Sequence, residues 1–179
     1  AAHVDGKVPM VLDMAGLAQK GGAVFSHVQI APTPADLYAT RIAMGEADVV
    51  LGCDLIVTTS NEALSKIQLG KTKAVVNTAE SPTADFVSNP NWQFGGVGLA
   101  QQVREAVGSD SDCTFVDANG IATALMGDAI YTNPFMLGYA WQRGWIPLAH
   151  ATVVRAIELN GVAVEANRKA FEWGRCAAH

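Results

Sequence analysis

The sequence predicts an α/β domain, a three-layer, mostly parallel sheet with a helical C-terminal third. Short apolar runs alternate with stretches of helical spacing along the first 120 or so residues, and such alternation builds sheets covered by helices. Beyond Ile121 no strand-like run recurs. The 179 residues are half hydrophobic and only 16% charged, which suits one domain, numbered 1–179, that buries its core without disulfide or metal support.

Each element has its own local signal. Ala1–Val4 read as the tail of a helix stopped near Asp5-Gly6. Val8–Leu12 is continuously apolar and predicts a buried parallel strand. From 24 to 30 the pattern alternates, with Val24, Ser26, Val28 and Ile30 on one face and Phe25, His27 and Gln29 on the other. That predicts a half-covered strand and allows the sheet to be mixed. Two prolines make Ala31–Pro34 a loop, after which Asp36 is placed to cap a short turn. Ala47–Gly52 is the next buried strand.

Leu55, Ile56, Thr59, Ala63, Leu64 and Ile67 recur at near-helical spacing, predicting one helix over 54–67 that ends at Leu69-Gly70. Lys73–Val76 reads as a strand, and Asn77–Phe94 as a polar, proline-punctuated excursion that lies over a partner. Gly98–Val107 is helical, Cys113–Val116 a strand, and Ile121 onward helical. Pro134 breaks that helix or opens the next, driving Asn133 toward extended geometry. Pro147 and Asn160-Gly161 frame a helix over 149–159, and a last helix runs to about Trp173.

Charge and cysteine usage exclude several functions. A net charge of −5, a pI near 5.2 and the lack of any Lys/Arg cluster argue against nucleic acid and against an anionic membrane surface. The greasy tract from Ile121 to Leu148 is broken by Asp128, Asn133-Pro134 and Arg143, so it reads as packed helices and not as a membrane span. Cys53, Cys113 and Cys176 form no C-x-x-C motif and spell out neither a cluster nor a zinc site. Their odd number points to a reducing, cytoplasmic setting. A mean hydropathy of +0.19 is high for a soluble chain and predicts that part of the surface is an interface.

Ligands of open α/β sheets sit beyond the carboxyl ends of the strands. Here those ends are the Asp13–Gly22 loop, Asp54, Asn77–Glu80 and Asp117–Asn119, and Lys20 is the one cation among them. A lysine followed by Gly21 and Gly22 suits an anion, since glycine exposes backbone N–H groups and lysine adds a point charge. An ordinary tight turn with a solvated lysine explains the same spacing. Gly96-Val-Gly98 lacks a strand before it and has Gln101 where a dinucleotide fingerprint needs glycine. Gly70-Lys71-Thr72 mimics the end of a phosphate loop, but Ser65 stands where the earlier glycine belongs. His27 reads as a satisfied, half-buried histidine and the set Tyr131, Phe135, Tyr139 and Trp141 as packing. The sequence spells out no Ser/His/Asp, paired-carboxylate or metal-ligand constellation, so the expectation is that this chain supplies no catalytic residue and no metal ligand.

Several blocks, read together, resemble one family. LDMAGLAQKGGAVFSHVQIA at 12–31, GEADVVLGCD at 45–54, VDANGIA at 116–122, TNPFMLG at 132–138 and NGVAVEANRKAFEWGR at 160–175 occur in order across nearly the whole chain. They are similar to the gamma domain of 2-oxoacid:ferredoxin oxidoreductases, most closely the fused indolepyruvate (aryl-pyruvate) type. The resemblance implies a Rossmann-like module within an enzyme that decarboxylates a 2-oxoacid oxidatively to an acyl-CoA and passes electrons to ferredoxin. It further implies that thiamine diphosphate, Mg and the [4Fe–4S] clusters belong to other domains or subunits, on which this domain packs, and that the domain alone is inactive. Coenzyme A is the ligand the resemblance assigns in part to this domain, through Lys20, Gly21, Gly22 and Asn133.

The family pattern opens with a strand and a G-x-G-G-x-G turn that this sequence lacks, so the chain reads as a piece of a longer polypeptide. Strand edges left without their cover predict self-association into a homo-oligomer. The alternative readings are a non-catalytic nucleotide-binding module, which would need the missing turn, and a structural interaction module.

Overall fold

The computed structural model describes residues 1–15, 23–79 and 96–179. Among the described residues five strands form where five are predicted: β1 (Val8–Ala15), β2 (Val24–Ala31), β3 (Val49–Gly52), β4 (Lys73–Asn77) and β5 (Cys113–Val116). The helices are α1 (Leu55–Thr58), α2 (Asn61–Leu64), α3 (Gly96–Val107), α4 (Ala118–Met126), α5 (Thr132–Gln142), α6 (His150–Asn160) and α7 (Val164–Ala177). β3, β4 and β5 make a parallel sheet in that order, whereas β1 and β2 pair antiparallel in a two-stranded sheet of their own. The fold is the predicted α/β class.

The hairpin corrects two expectations. β1 is not a buried parallel strand, and among the described residues the β3–β5 sheet is not mixed, because the antiparallel pair of β1 and β2 stands apart from it. In the hairpin register Val11 lies opposite Val28, and both are about half exposed. Met10, Leu12 and Met14 point to the covered face with Phe25, His27 and Gln29. An unbroken apolar run does not reveal that every second side chain faces water. The more apolar-looking face of β2, carrying Val24 and Val28, is the exposed one, because the loop after Pro34 covers the other. Gln29 Nε2 donates to Ala39 O at 2.6 Å, and Ile42 N donates to His27 Nδ1 at 3.2 Å.

His27 is therefore a structural acceptor, buried and held in the neutral form with Nδ1 unprotonated. Burial depresses its pKa below 6.5, with the charges of Lys66 and Arg41 adding to the effect and Glu62 opposing it. The unfolded chain takes up a proton at this site at higher pH than the folded chain does. Stability from this group is accordingly complete above about pH 6.5 and is lost as pH falls below it. Urea denaturation between pH 7.5 and 5 should show the midpoint falling, and His27→Gln should flatten that slope.

The parallel sheet is covered on both faces. Ala74 and Val76 of β4 pack with Leu55, Val103 and Val107 from α1 and α3, while Val75 between them packs with Ala118, Phe135, Met136 and Tyr139 from α4 and α5. This is the period-two alternation of a central strand buried twice. The second helical layer is two deep, since α7 lies on the far side of α5. The two helices meet backbone to backbone: a Cβ built on Gly138 would fall 2.0 Å from Phe171 O, and one on Gly174 would fall 1.8 Å from Phe135 O. Of the predicted aromatic set, Phe135 and Tyr139 are core, and Trp141 packs edge-on against Phe171 and His150 while its Nε1 donates to Leu148 O.

Other boundaries differ for local reasons. The single helix predicted over 54–67 is two short ones. Thr58 and Thr59 turn their hydroxyls back onto carbonyls of the first turn, and Ser60 Oγ then accepts from Ala63 N to start a new helix. Asp36 does not begin a turn but closes one: its carboxylate accepts from both Thr33 N and Thr33 Oγ1. Asn133 is helical, not extended, because Pro134 sits in the first turn of α5, where a missing N–H costs nothing.

Near the start of the chain, Asp5 ties a short 3₁₀ turn (Ala2–Asp5) to α6, accepting from Lys7 Nζ, Thr152 Oγ1 and Ala149 N. Those bonds, from Lys7 and Thr152 first, pull its carboxyl pKa down to about 2.

Candidate site at the carboxyl edge of the parallel sheet

Three of the four predicted strand ends converge. Gly52 leads β3 into Cys53 and Asp54, Asn77 ends β4, and β5 leads into Asp117, Ala118 and Asn119. The fourth, Asp13, belongs to the hairpin instead, where Ser26 Oγ donates to its Oδ1 at 2.6 Å. Lys20, Gly21 and Gly22 lie outside the described residues, as does Glu80.

Asn77 organises the edge. Its side chain is 2% exposed and uses both ends of the amide. Nδ2 donates to Cys53 O and to Asn119 Oδ1, each at 3.0 Å, while Oδ1 accepts from Ala118 N at 3.0 Å and Ala79 N at 3.2 Å. Two donors and two acceptor sites are the capacity of an asparagine amide, so this residue fastens the ends of three strands and is itself saturated. Asn119 passes the network on, its Oδ1 accepting a second bond from Thr132 Oγ1 at 2.7 Å. Thr132 is buried and opens α5.

The two carboxylates at the edge are also engaged. Asp54 Oδ1 accepts from Val57 N at 2.9 Å and caps α1; Asp117 Oδ1 accepts from Gly120 N at 2.8 Å and caps α4. The edge thus holds hydrogen-bonded amides, a buried hydroxyl and two carboxylate-capped helix N-termini, whereas the N-terminus of α5 has no side-chain cap and no acidic residue in its first turn. An uncapped N-terminus of that kind suits a polar or anionic ligand. The next residue after Thr132 is Asn133, exposed in the first turn of α5. Asn133 thus follows directly on the residue that ties α5 to this edge.

The remaining sequence signals resolve as structure. Gly70 adopts φ +74°, its N–H donates to Val107 O, and Thr72 Oγ1 donates to Ala47 O, so the phosphate-loop lookalike is a tight turn. Gly96 and Gly98 open α3. Cys113 is buried under α3, and desolvation pushes its thiol up to about 11. Among the described residues no group of three or more His, Cys, Asp or Glu side chains is placed to hold a metal ion, and no helix is long and apolar enough to cross a membrane. Sequence reasoning missed Thr132, whose threonine-asparagine contact spans α4 and α5 and leaves no local signal.

Comparison with known proteins bears on the whole chain. No curated protein matches it. Its fold is shared with solved structures, two of which show the likeness. One is the gamma subunit of a keto/oxoacid ferredoxin oxidoreductase from Geobacter sulfurreducens, 20% identical, with a TM-score of 0.62 over 99% of this chain and 84% of that one. The other is the pyruvate oxidoreductase subunit PORC from Thermotoga maritima, 19% identical, with a TM-score of 0.60 over 97% of this chain and 82% of that one. The family model for pyruvate ferredoxin/flavodoxin oxidoreductase matches residues 1–177. With nearly every residue inside that match, the chain belongs to the pyruvate ferredoxin/flavodoxin oxidoreductase family.

Proposed function

We propose that this chain is the gamma-type unit of a 2-oxoacid:ferredoxin oxidoreductase acting on aryl-pyruvates such as indolepyruvate. In the assembled enzyme it packs on the thiamine-binding domains and helps hold coenzyme A through Lys20, Gly21, Gly22 and Asn133. Thiamine diphosphate, Mg and [4Fe–4S] clusters serve from other domains, with ferredoxin as electron acceptor. The reaction joins a 2-oxoacid and coenzyme A, releases CO₂ and a proton, and reduces two ferredoxins by one electron each.

One observation carries the reading: Asn133 is exposed on the first turn of α5, one residue from the Thr132–Asn119–Asn77 network that closes the sheet's carboxyl edge. The N-terminus of α5, with no side-chain cap and no acidic residue in its first turn, favours an anion such as a phosphate. Coenzyme A titration of the assembled enzyme tests it. Because hydrogen bonds to charged groups contribute on the order of 1.5–3 kcal/mol, Lys20→Ala should weaken coenzyme A binding roughly 10- to 150-fold at low ionic strength. The deficit should shrink as salt rises, and thiamine-dependent decarboxylation should survive. Asn133→Ala, losing a neutral donor, should cost less than about 10-fold. Unchanged affinity in both variants would sink the assignment.

The exposed valines of the hairpin favour a second reading, in which the chain is purely an assembly module. On that reading Val28→Asp would abolish assembly while both coenzyme A variants behaved as wild type.

A further inference from the structure

Helix α7 carries two adjacent stripes. Ala170, Phe171 and Gly174 are buried against α5. Lys169, Glu172, Trp173 and Cys176, spaced i, i+3, i+4 and i+7, form the neighbouring stripe. With Leu125 and Met126 from the last turn of α4, and Arg168 beside them, they line an open groove of about 720 Å³. Trp173 is 44% exposed and Leu125 46%. A half-exposed indole beside exposed leucine is the composition of an interface anchor.

The charges of this groove are unbalanced toward positive. Glu172 is neutralised from within, its Oε2 accepting from Arg175 Nη1 at 2.5 Å and its Oε1 lying 2.6 Å from His150 Nε2. Arg168 meets only Glu165, in an exposed pair of the kind that contributes little. Among the described residues no ion pair involves Lys169. A cationic rim around an apolar floor, on a chain whose net charge is −5, selects for carboxylates. The groove is too open to enclose a small molecule, since ligand pockets bury most of their occupant. Its lining follows α7 from Arg168 to Cys176, about two turns, along which a helix can lie.

We propose that this groove docks an amphipathic, acidic helix of a partner protein, its apolar stripe on Trp173, Leu125 and Met126 and its carboxylates against Lys169 and Arg168. The proposal is independent of the coenzyme A reading, and the residues involved are not those of the sheet edge. A labelled helical peptide of leucine and glutamate, with leucines at i, i+3, i+4 and i+7, serves as probe by fluorescence anisotropy; a leucine–lysine peptide of the same pattern is its counterpart. The acidic peptide should bind the full chain at least roughly ten-fold more tightly than the basic one. Trp173→Ala should weaken it roughly thirty-fold and Lys169→Glu roughly ten-fold, while Lys71→Glu, at an exposed site outside the groove, leaves it unchanged. Lys169 is exposed, so its variant separates loss of binding from loss of fold. Equal affinity for the two peptides, no binding of either, or insensitivity to both groove variants would overturn the proposal. So would binding of phosphatidylserine vesicles through the same residues without the acidic peptide, which would make the face a lipid contact.

Discussion

Gly174→Ala is expected to unfold most of the domain at temperatures the wild type withstands. The added methyl carbon would lie 1.8 Å from Phe135 O and 2.9 Å from Tyr139 N, and both are backbone atoms of a helix that has no free side on which to retreat. α5 is held by the sheet on one flank and by α7 on the other. Relief must come from sliding the two helices apart, which opens voids around Phe135, Met136 and Phe171. Overpacking of a well-filled core costs about 1–3 kcal/mol where side chains can adjust, and backbone atoms adjust less. A loss of at least about 3 kcal/mol is expected, lowering Tm by roughly 10 °C for a chain of this length. Gly98→Ala is the comparison, because a Cβ there meets nothing within 4 Å and alanine is the better helix former. Thermal melts in which Gly174→Ala stays within two or three degrees of Gly98→Ala would show that α5 and α7 are not in backbone contact.

The second large effect is expected at Asn77. Asn77→Leu keeps the branched outline and removes every bond the amide makes, leaving Ala118 N, Cys53 O and Ala79 N to find new partners. Each buried group left unsatisfied costs about 1–3 kcal/mol, and water at the edge will recover part of that, so a net loss of about 3–5 kcal/mol is expected. Asn77→Asp should be nearly as damaging at neutral pH for a different reason. Its carboxylate would face Cys53 O and Asn119 Oδ1, two acceptors, with no proton to offer. At low pH the acid form regains one donor, and the gap to wild type should narrow. Urea unfolding at pH 7 and pH 4 separates the two substitutions, and a pH-independent deficit in Asn77→Asp would contradict the hydrogen-bond pattern.

Strand positions were legible because β-branched runs such as Lys73–Val76 and Cys113–Val116 are bounded by turns and capped helices. What the runs could not tell was their partners. Val8–Leu12 and Ala47–Gly52 look alike as sequence, yet one forms a two-stranded hairpin and the other joins a covered parallel sheet. The difference lies in the next element along the chain, which is an antiparallel partner after β1 and a capped helix after β3. At the site, Asp54 and Asp117 were recognisable as strand ends because a cap is a local device. The union of Asn77, Asn119 and Thr132 depends on three segments meeting, which no spacing encodes. Lys20, Gly21 and Gly22, read from a lysine beside two glycines together with the family resemblance, fall outside the described residues.

Helix α5 has buried residues at Thr132, Phe135, Met136, Gly138, Tyr139 and Ala140, so it is enclosed along its length. Its exposed tip is Asn133. The backbone of a donor on such a helix cannot drift to meet an incoming group, so only the side-chain rotamer of Asn133 remains to be fixed when the group arrives. Binding at that tip would be of the lock-and-key kind, tolerant of little variation in where the ligand places its oxygen. A loop-borne amide would accommodate many anions; if Asn133 serves as proposed, its mounting on an enclosed helix would make it discriminate among them by position.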